Sequence, residues 1–175
     1  MSERQRIDEA HMALALDLAK LGRGRTSPNP MVGALLVRDG RVVGRGHHEH
    51  YGGPHAEVNA LAQAGSEAAG ATLYVTLEPC CVWGKTPPCT AALIEARVAR
   101  VVLAIEDPNP DVSGGGIAQL REAGIEVDTG VMADAAAELN APYTRFRESG
   151  LPLVRLKLAL SADGRVAGGP GAERW

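Results

Sequence analysis

The stretch Met31-Val32-Gly33-Ala34-Leu35-Leu36-Val37-Arg38-Asp39-Gly40-Arg41-Val42-Val43-Gly44-Arg45-Gly46 decides the architecture. Two runs rich in apolar and β-branched residues flank Asp39-Gly40, a dipeptide that tolerates the positive φ of a tight turn. Residues 31–38 and 41–46 are therefore predicted to pair as an antiparallel hairpin. Downstream the period changes. Residues 55–64 read as a helix with Pro54 just before its start, and 71–77 as a strand. A helix follows over 90–98, then a buried strand over 100–105 and a helix over 117–123 that Gly124 ends. A strand over 125–129 and a last helix over 133–140 complete the pattern. Upstream, Ile7, His11, Leu14, Leu18 and Leu21 share one stripe and predict an amphipathic helix over 5–21. A Gly- and Pro-rich loop over 22–30 separates that helix from the hairpin. Strands alternating with helices of this size predict an α/β fold, a layered sheet opening with an antiparallel hairpin.

Composition narrows the function classes. A chain of 175 residues reads as one domain that buries roughly two thirds of its unfolded surface. A net charge of −3 and only six aromatics supply neither a basic groove nor a base-stacking platform, so no nucleic-acid partner is expected. The longest apolar run, Met31–Val37, is too short to cross a bilayer, and no membrane partner is expected. Residues 1–9 are charged throughout and form no secretory signal, so a cytoplasmic setting is expected. Three cysteines in such a chain read as ligands rather than disulfide partners. Composition shifts over 142–152. A strand-like run over 153–160 and a Gly-rich end follow, which divides the chain into residues 1–150 and a segment 151–175.

Three positions carry metal chemistry. His55-Ala56-Glu57 is followed by Pro79-Cys80 and then, after eight intervening residues, by Cys89. One imidazole and two thiolates supply three ligands to a tetrahedral Zn2+ and leave a fourth position for water. A non-ligating carboxylate two residues after the histidine is what a hydrolytic zinc deaminase needs to move protons, so Glu57 is the expected catalytic residue. His55, Cys80 and Cys89 are the expected metal ligands. A structural zinc would want a fourth protein ligand. Cys81 is the remaining cysteine, and adjacent cysteines rarely reach one metal together, so Cys81 is read as a small buried apolar residue.

The segment Cys80-Cys81-Val82-Trp83-Gly84-Lys85-Thr86-Pro87-Pro88-Cys89 joins three others: Thr26-Ser27-Pro28-Asn29-Pro30, Val75-Thr76-Leu77-Glu78-Pro79 and Asp107-Pro108-Asn109-Pro110. Together they closely resemble the deaminase domain of bacterial bifunctional riboflavin-biosynthesis deaminase/reductases, within the cytidine-deaminase-like superfamily, over residues 6–150. The resemblance implies a three-layer α/β/α sheet. It also implies zinc-dependent hydrolytic deamination of a small phosphorylated aminopyrimidine, 2,5-diamino-6-ribosylamino-4(3H)-pyrimidinone 5′-phosphate, and self-association into a homo-oligomer. By position it assigns substrate contacts to Asn29, to Lys85 near the ribose phosphate, and to Asp107 and Asn109 around the ribosyl part.

Two departures accompany the resemblance. The family shows Ser-His after the first zinc cysteine, where this chain has Cys81-Val82, so a donor to the phosphate or ribose is lost. This keeps open a deaminase of a related, unphosphorylated aminopyrimidine. The segment 152–175 resembles only the first strand and loop of the reductase domain, so the reductase is expected on a separate chain or removed. A non-catalytic zinc module partnering a reductase is the different-class alternative. His47, His48 and His50 precede the zinc helix and are left outside the metal set. Ser113-Gly114-Gly115-Gly116 is read as a turn rather than a phosphate cradle.

Overall fold

The Asp39-Gly40 turn forms, with φ of 50° and 73°, and joins β1 (Gly33–Arg38) to β2 (Arg41–His47) with Arg38 opposite Arg41. This computed structural model describes residues 2–165. The remaining strands are β3 (Thr72–Val75), β4 (Arg100–Leu103) and β5 (Glu126–Thr129). They assemble in the order β2-β1-β3-β4-β5, with β1 antiparallel to both neighbours and β3, β4 and β5 parallel.

Side-chain alternation along β1 splits the core in two. Ala34 and Leu36 face a cluster with α2 (Ala56–Ala64), α3 (Cys89–Glu95) and α4 (Gly115–Glu122). Leu35 and Val37 face the opposite cluster, which holds Met12 and Leu16 of α1 (Glu3–Lys20) and Ala136 of α5 (Ala133–Leu139). Helices on both faces of a mixed sheet make a three-layer α/β/α sandwich, as expected. Fully buried Leu35, Leu36, Leu73, Leu93, Leu103 and Leu120 each contribute about 2 kcal/mol of transfer free energy.

The first helix forms and is capped by Ser2 and Gln5 in a reciprocal box, but its buried face is not the expected stripe. Ile7, Leu14 and Leu21 are exposed, whereas Met12, Ala15, Leu16 and Ala19 are buried. The reason is distance. A Cβ on Gly33 would lie 2.0 Å from the Ala15 carbonyl oxygen, so α1 sits almost on the β1 backbone and only small residues fit between them. Gly46 repeats this against α2, where a Cβ would meet the Ala56 carbonyl at 2.1 Å.

Two further expectations change. The chain over 141–149 is a sixth helix, α6 (Ala141–Ser149), where the composition suggested a boundary. Pro142 sits in its first turn, where its missing N–H costs no hydrogen bond. Asn140 is buried between α5 and α6; it accepts from Met31 N–H and donates to Met31 C=O, both at 2.8 Å, tying α6 to the loop before β1. The strand-like run over 153–160 belongs to neither helix nor strand and is exposed, since no sheet edge pairs with it. Residues 166–175, the end of the expected second segment, lie outside the described residues.

Candidate active site

The three parallel strands point their carboxyl ends at one side of the sheet, where α/β folds place ligands. The chain leaving β3 runs through Thr76-Leu77-Glu78-Pro79 to Cys80. His55 is the N-cap residue of α2 in extended conformation (φ −75°, ψ 162°); its side chain makes no cap bond, so the ring is free to turn outward. Cys89 is the first residue of α3. A strand end and two helix starts thus present the three side chains, and helix N-terminal amides favour a thiolate.

His55 Nδ1 lies 3.2 Å from Cys89 Sγ and 3.5 Å from Cys80 Sγ, and the three donor atoms fall within 4.8 Å of one another. Tetrahedral zinc with ordinary Zn–N and Zn–S bonds places nitrogen and sulfur about 3.6 Å apart, so the donor set fits that metal. The two sulfurs differ in their hold on a proton. The Cys89 side chain and its backbone N–H, at 3.3 Å, both donate to Cys80, and His55 adds to them. They outweigh burial and draw the Cys80 thiol down to about 4. Hydrogen bonding to Cys80 and burial hold the Cys89 thiol up. The His55 ring is raised, chiefly by its bond to Cys80. Cys81 is half-buried rather than buried; its Sγ lies 3.9 Å from the Val112 carbonyl oxygen and stands outside the three-residue group.

Glu57 occupies the first turn of α2 and is 3% exposed. Burial raises its carboxyl to about 7, the Cys80 charge adds to this and His55 opposes it. A carboxyl that titrates near neutrality can both take and return a proton.

These groups open onto a cavity of about 270 Å³. His55, Glu57 and Cys80 line it together with Asn29, Lys85, Asp107 and Asn109; Cys89 lies behind them, fully buried. Asn29 Nδ2 is 3.1 Å from His48 Nε2, and His48 Nδ1 is 3.0 Å from the Pro54 carbonyl oxygen. An Nδ1–H donated to Pro54 makes Nε2 the acceptor of the Asn29 amide. Burial lowers the His48 pKa and so favours this neutral form. His48 therefore orients Asn29 and leaves its Oδ1 for a ligand. Asp107 is buried and accepts at Oδ1 from Asn109 N–H (2.9 Å) and from the Tyr143 hydroxyl (2.8 Å). Burial pushes the Asp107 carboxyl up, and both donors offset part of that rise. Lys85 Nζ sits 4.0 Å from the centroid of the Tyr51 ring.

The glycine run has an occupant of its own. Glu78 is buried, and its carboxylate accepts from the backbone N–H groups of Asp107, Gly114, Gly116 and Ile117 at 2.9–3.2 Å. It caps α4 and fixes the loop that carries Asp107 and Asn109. Gly114 takes φ of 73°, and a Cβ on Gly116 would meet the Pro79 carbonyl oxygen at 2.1 Å. The turn reading holds for Ser113 and Gly114, whereas Gly115 and Gly116 open α4, and the run cradles an internal carboxylate.

Sequence reasoning missed His48, Glu78, Tyr143 and Arg147 at this site. Among the three neighbouring histidines the resemblance points to His48 for a supporting or substrate role, but the sequence does not choose between that and a spare loop histidine. Glu78 is signalled only by an acidic residue at a strand end paired with a distant glycine run. Tyr143 and Arg147 lie on the helix that was not expected.

The comparisons agree with this geometry. The profile of the cytidine and deoxycytidylate deaminase zinc-binding region matches residues 5–105. The riboflavin biosynthesis protein RibD of Aquifex aeolicus is 53% identical over 169 residues, covering 97% of this chain and 48% of its own length. The solved structure of RibD from Acinetobacter baumannii superposes with a TM-score of 0.92 at 50% identity, covering 98% of this chain and 48% of that one. A diaminohydroxyphosphoribosylaminopyrimidine deaminase/5-amino-6-(5-phosphoribosylamino)uracil reductase from Thermotoga maritima gives a TM-score of 0.93 at 43% identity, covering 99% of this chain and 50% of that one. The chain spans about half the length of the relatives it matches. The expected fold and the expected zinc chemistry both meet here: with its His/Cys/Cys group and matching profile, the chain belongs to the cytidine and deoxycytidylate deaminase zinc-binding family.

Proposed function

We propose that this chain is a zinc-dependent deaminase of 2,5-diamino-6-ribosylamino-4(3H)-pyrimidinone 5′-phosphate, with His55, Cys80 and Cys89 as metal ligands and Glu57 as the proton carrier. The observation that carries the reading is that one cavity is lined by His55, Cys80, the buried Glu57 carboxyl and four polar side chains suited to an aminopyrimidine ribosyl phosphate, with Cys89 behind them. When bound, zinc supplies the Lewis acidity that makes water nucleophilic at neutral pH. Glu57 accepts one proton of the attacking water and passes it to the ring nitrogen, then carries the second from the new carbon-bound hydroxyl to the amine, which departs as ammonia as the carbonyl forms. Asn29, with its amide nitrogen engaged by His48, offers Oδ1 to a ring N–H. Asp107 has Oδ1 occupied and offers Oδ2 to a ribosyl hydroxyl. Lys85 faces the phosphate.

The name of the Thermotoga relative supports the same substrate class. Its two named activities support reading residues 1–150 as the deaminase domain and 151–175 as the beginning of a reductase-like segment. The same reading includes self-association and a reductase acting on the product. Thiolate ligands among three free cysteines suit a compartment that keeps thiols reduced, consistent with the cytoplasm. Among the described residues no helix is long and apolar enough to cross a membrane. Val82 lines the cavity without a hydrogen-bond donor, which favours a second reading in which the substrate lacks the phosphate. The test is ammonia release by the zinc-loaded chain from the phosphorylated diaminopyrimidine, without NADPH, beside its dephosphorylated form. Zinc- and Glu57-dependent turnover of the phosphorylated compound supports the proposal. Equal turnover of both compounds favours the second reading, and turnover of neither removes the assigned substrate.

A further inference from the structure

The wall of the cavity includes a helix, α6, that lies beyond the matched zinc-binding region. Arg147, on its last turn, lines the cavity, as does Tyr143 one turn earlier. The Arg147 guanidinium carbon stands 5.3 Å from the centroid of the Tyr143 ring, and the Tyr143 hydroxyl is bonded to Asp107 inside the cavity. Among the described residues no carboxylate lies within ion-pairing distance of Arg147. Lys85 repeats the arrangement, resting over Tyr51 without an acidic partner. A cation held on an aromatic face is oriented without losing its N–H donors, since the ring offers no lone pair to occupy them. Two such cations on one small cavity suit a doubly charged anion. A planar guanidinium also adds two parallel N–H donors that an ammonium lacks.

We infer that Arg147 is a specificity-determining residue that binds the anionic group of the substrate together with Lys85, and that it supplies from α6 the donor that Val82 cannot. The inference rests on the phosphate ester assigned above. Asn140 and Tyr143 hold α6 in place, one through Met31 and the other through Asp107, so the guanidinium is carried by a fixed element.

The test is calorimetric titration of the zinc-loaded chain with ribose 5-phosphate and with ribose, for the wild type and for Arg147→Gln, Arg147→Lys and Lys85→Gln. Folding is checked by circular dichroism and zinc content. Arg147→Gln is expected to weaken ribose 5-phosphate about tenfold while leaving ribose unchanged, as loss of a charged hydrogen-bond donor predicts. Arg147→Lys is expected to recover part of the loss, because the charge remains and the fork does not. Unchanged phosphate binding in Arg147→Gln, or an equal loss for ribose, overturns the inference. Two outcomes separate it from the substrate assignment. Arg147-dependent binding of ribose 5-phosphate without ammonia release upholds the anion site and removes the assigned reaction. Ammonia release that prefers the phosphorylated compound and is unchanged in Arg147→Gln removes the anion site at Arg147 and keeps the assigned reaction.

Discussion

Both ends of the parallel strands carry charged groups, and they use them in opposite ways. At the amino end, Arg100 at the start of β4 donates to both Asp8 oxygens at 2.7–2.8 Å and from Nε to Asp128 at 2.8 Å, and the Tyr74 hydroxyl donates to Asp8 at 2.9 Å. Arg4 adds a contact to Asp128 at 2.8 Å. The charged groups there satisfy one another. At the carboxyl end, Glu57, Asp107, Asn29, Lys85 and Arg147 line a cavity with donors and acceptors left over. Polar atoms paired within the protein stabilise it, whereas polar atoms held rigid yet unpaired are what a ligand can use. The loop between β4 and α4 stays rigid because Glu78, which faces no substrate role here, absorbs four backbone donors behind it.

The sharpest division between the ends is expected from Glu57→Gln. Turnover should fall by roughly 10²–10⁴-fold, with zinc content and thermal stability retained; metal analysis beside ammonia release checks it, and loss of zinc would show that Glu57 also serves the metal site. Next comes Asp8→Ala, which leaves Arg100 short of its most buried partner. A cost of about 3 kcal/mol is expected in urea unfolding, with kcat unchanged; a parallel fall in kcat would break the independence of the two ends.

The same pair sets an acid limit. Burial pushes the Asp8 carboxyl up, but Arg100 and Tyr74 outweigh it and hold the group below its ordinary 3.8. The unfolded chain therefore takes up the proton first. The stabilisation is present in full above the unfolded value and is lost as pH falls through the lower folded value. Asp8→Ala should flatten the acid limb of the stability curve below about pH 4, and an unchanged limb would assign acid unfolding elsewhere.

A smaller effect is expected from Glu78→Gln, which removes the charge from the carboxylate capping α4. About 1–2 kcal/mol of stability should be lost, with KM rising more than kcat falls, because the loop bearing Asp107 and Asn109 loosens. The smallest is Tyr143→Phe. Loss of its bond to Asp107 should raise KM a few-fold at unchanged kcat, worth about 1 kcal/mol. Steady-state kinetics and unfolding curves on the two variants would show whether the specificity wall is separable from the proton-transfer chemistry.

Much of this was legible before any coordinates. Asp39-Gly40 reads as a tight turn, and the apolar and β-branched runs on either side of it read as a pair of strands. His55-Ala56-Glu57 with Cys80 and Cys89 carries its chemistry in residue type and spacing. The errors came from two sources. Hydrophobicity alone picks the Ile7–Leu14–Leu21 stripe of α1, whereas Gly33 selects small residues by close approach, so Ala15 and Ala19 are inside and Leu14 is outside. Helix α6 was hidden because Pro142 reads as a boundary unless its place in the first turn is known.

Sequence by itself determined the hairpin and the alternation of strands and helices, and it singled out the residues proposed to bind metal and to carry the proton, because each follows from local backbone preference or from a ligand's own chemistry. Only the tertiary structure decided which face of α1 is buried, that His48 orients Asn29, that Glu78 fills the glycine cradle, and that Tyr143 and Arg147 reach the same cavity as Glu57. Those relations join residues remote in the chain. They depend on packing distance and on which donor finds which acceptor, and no local pattern encodes either.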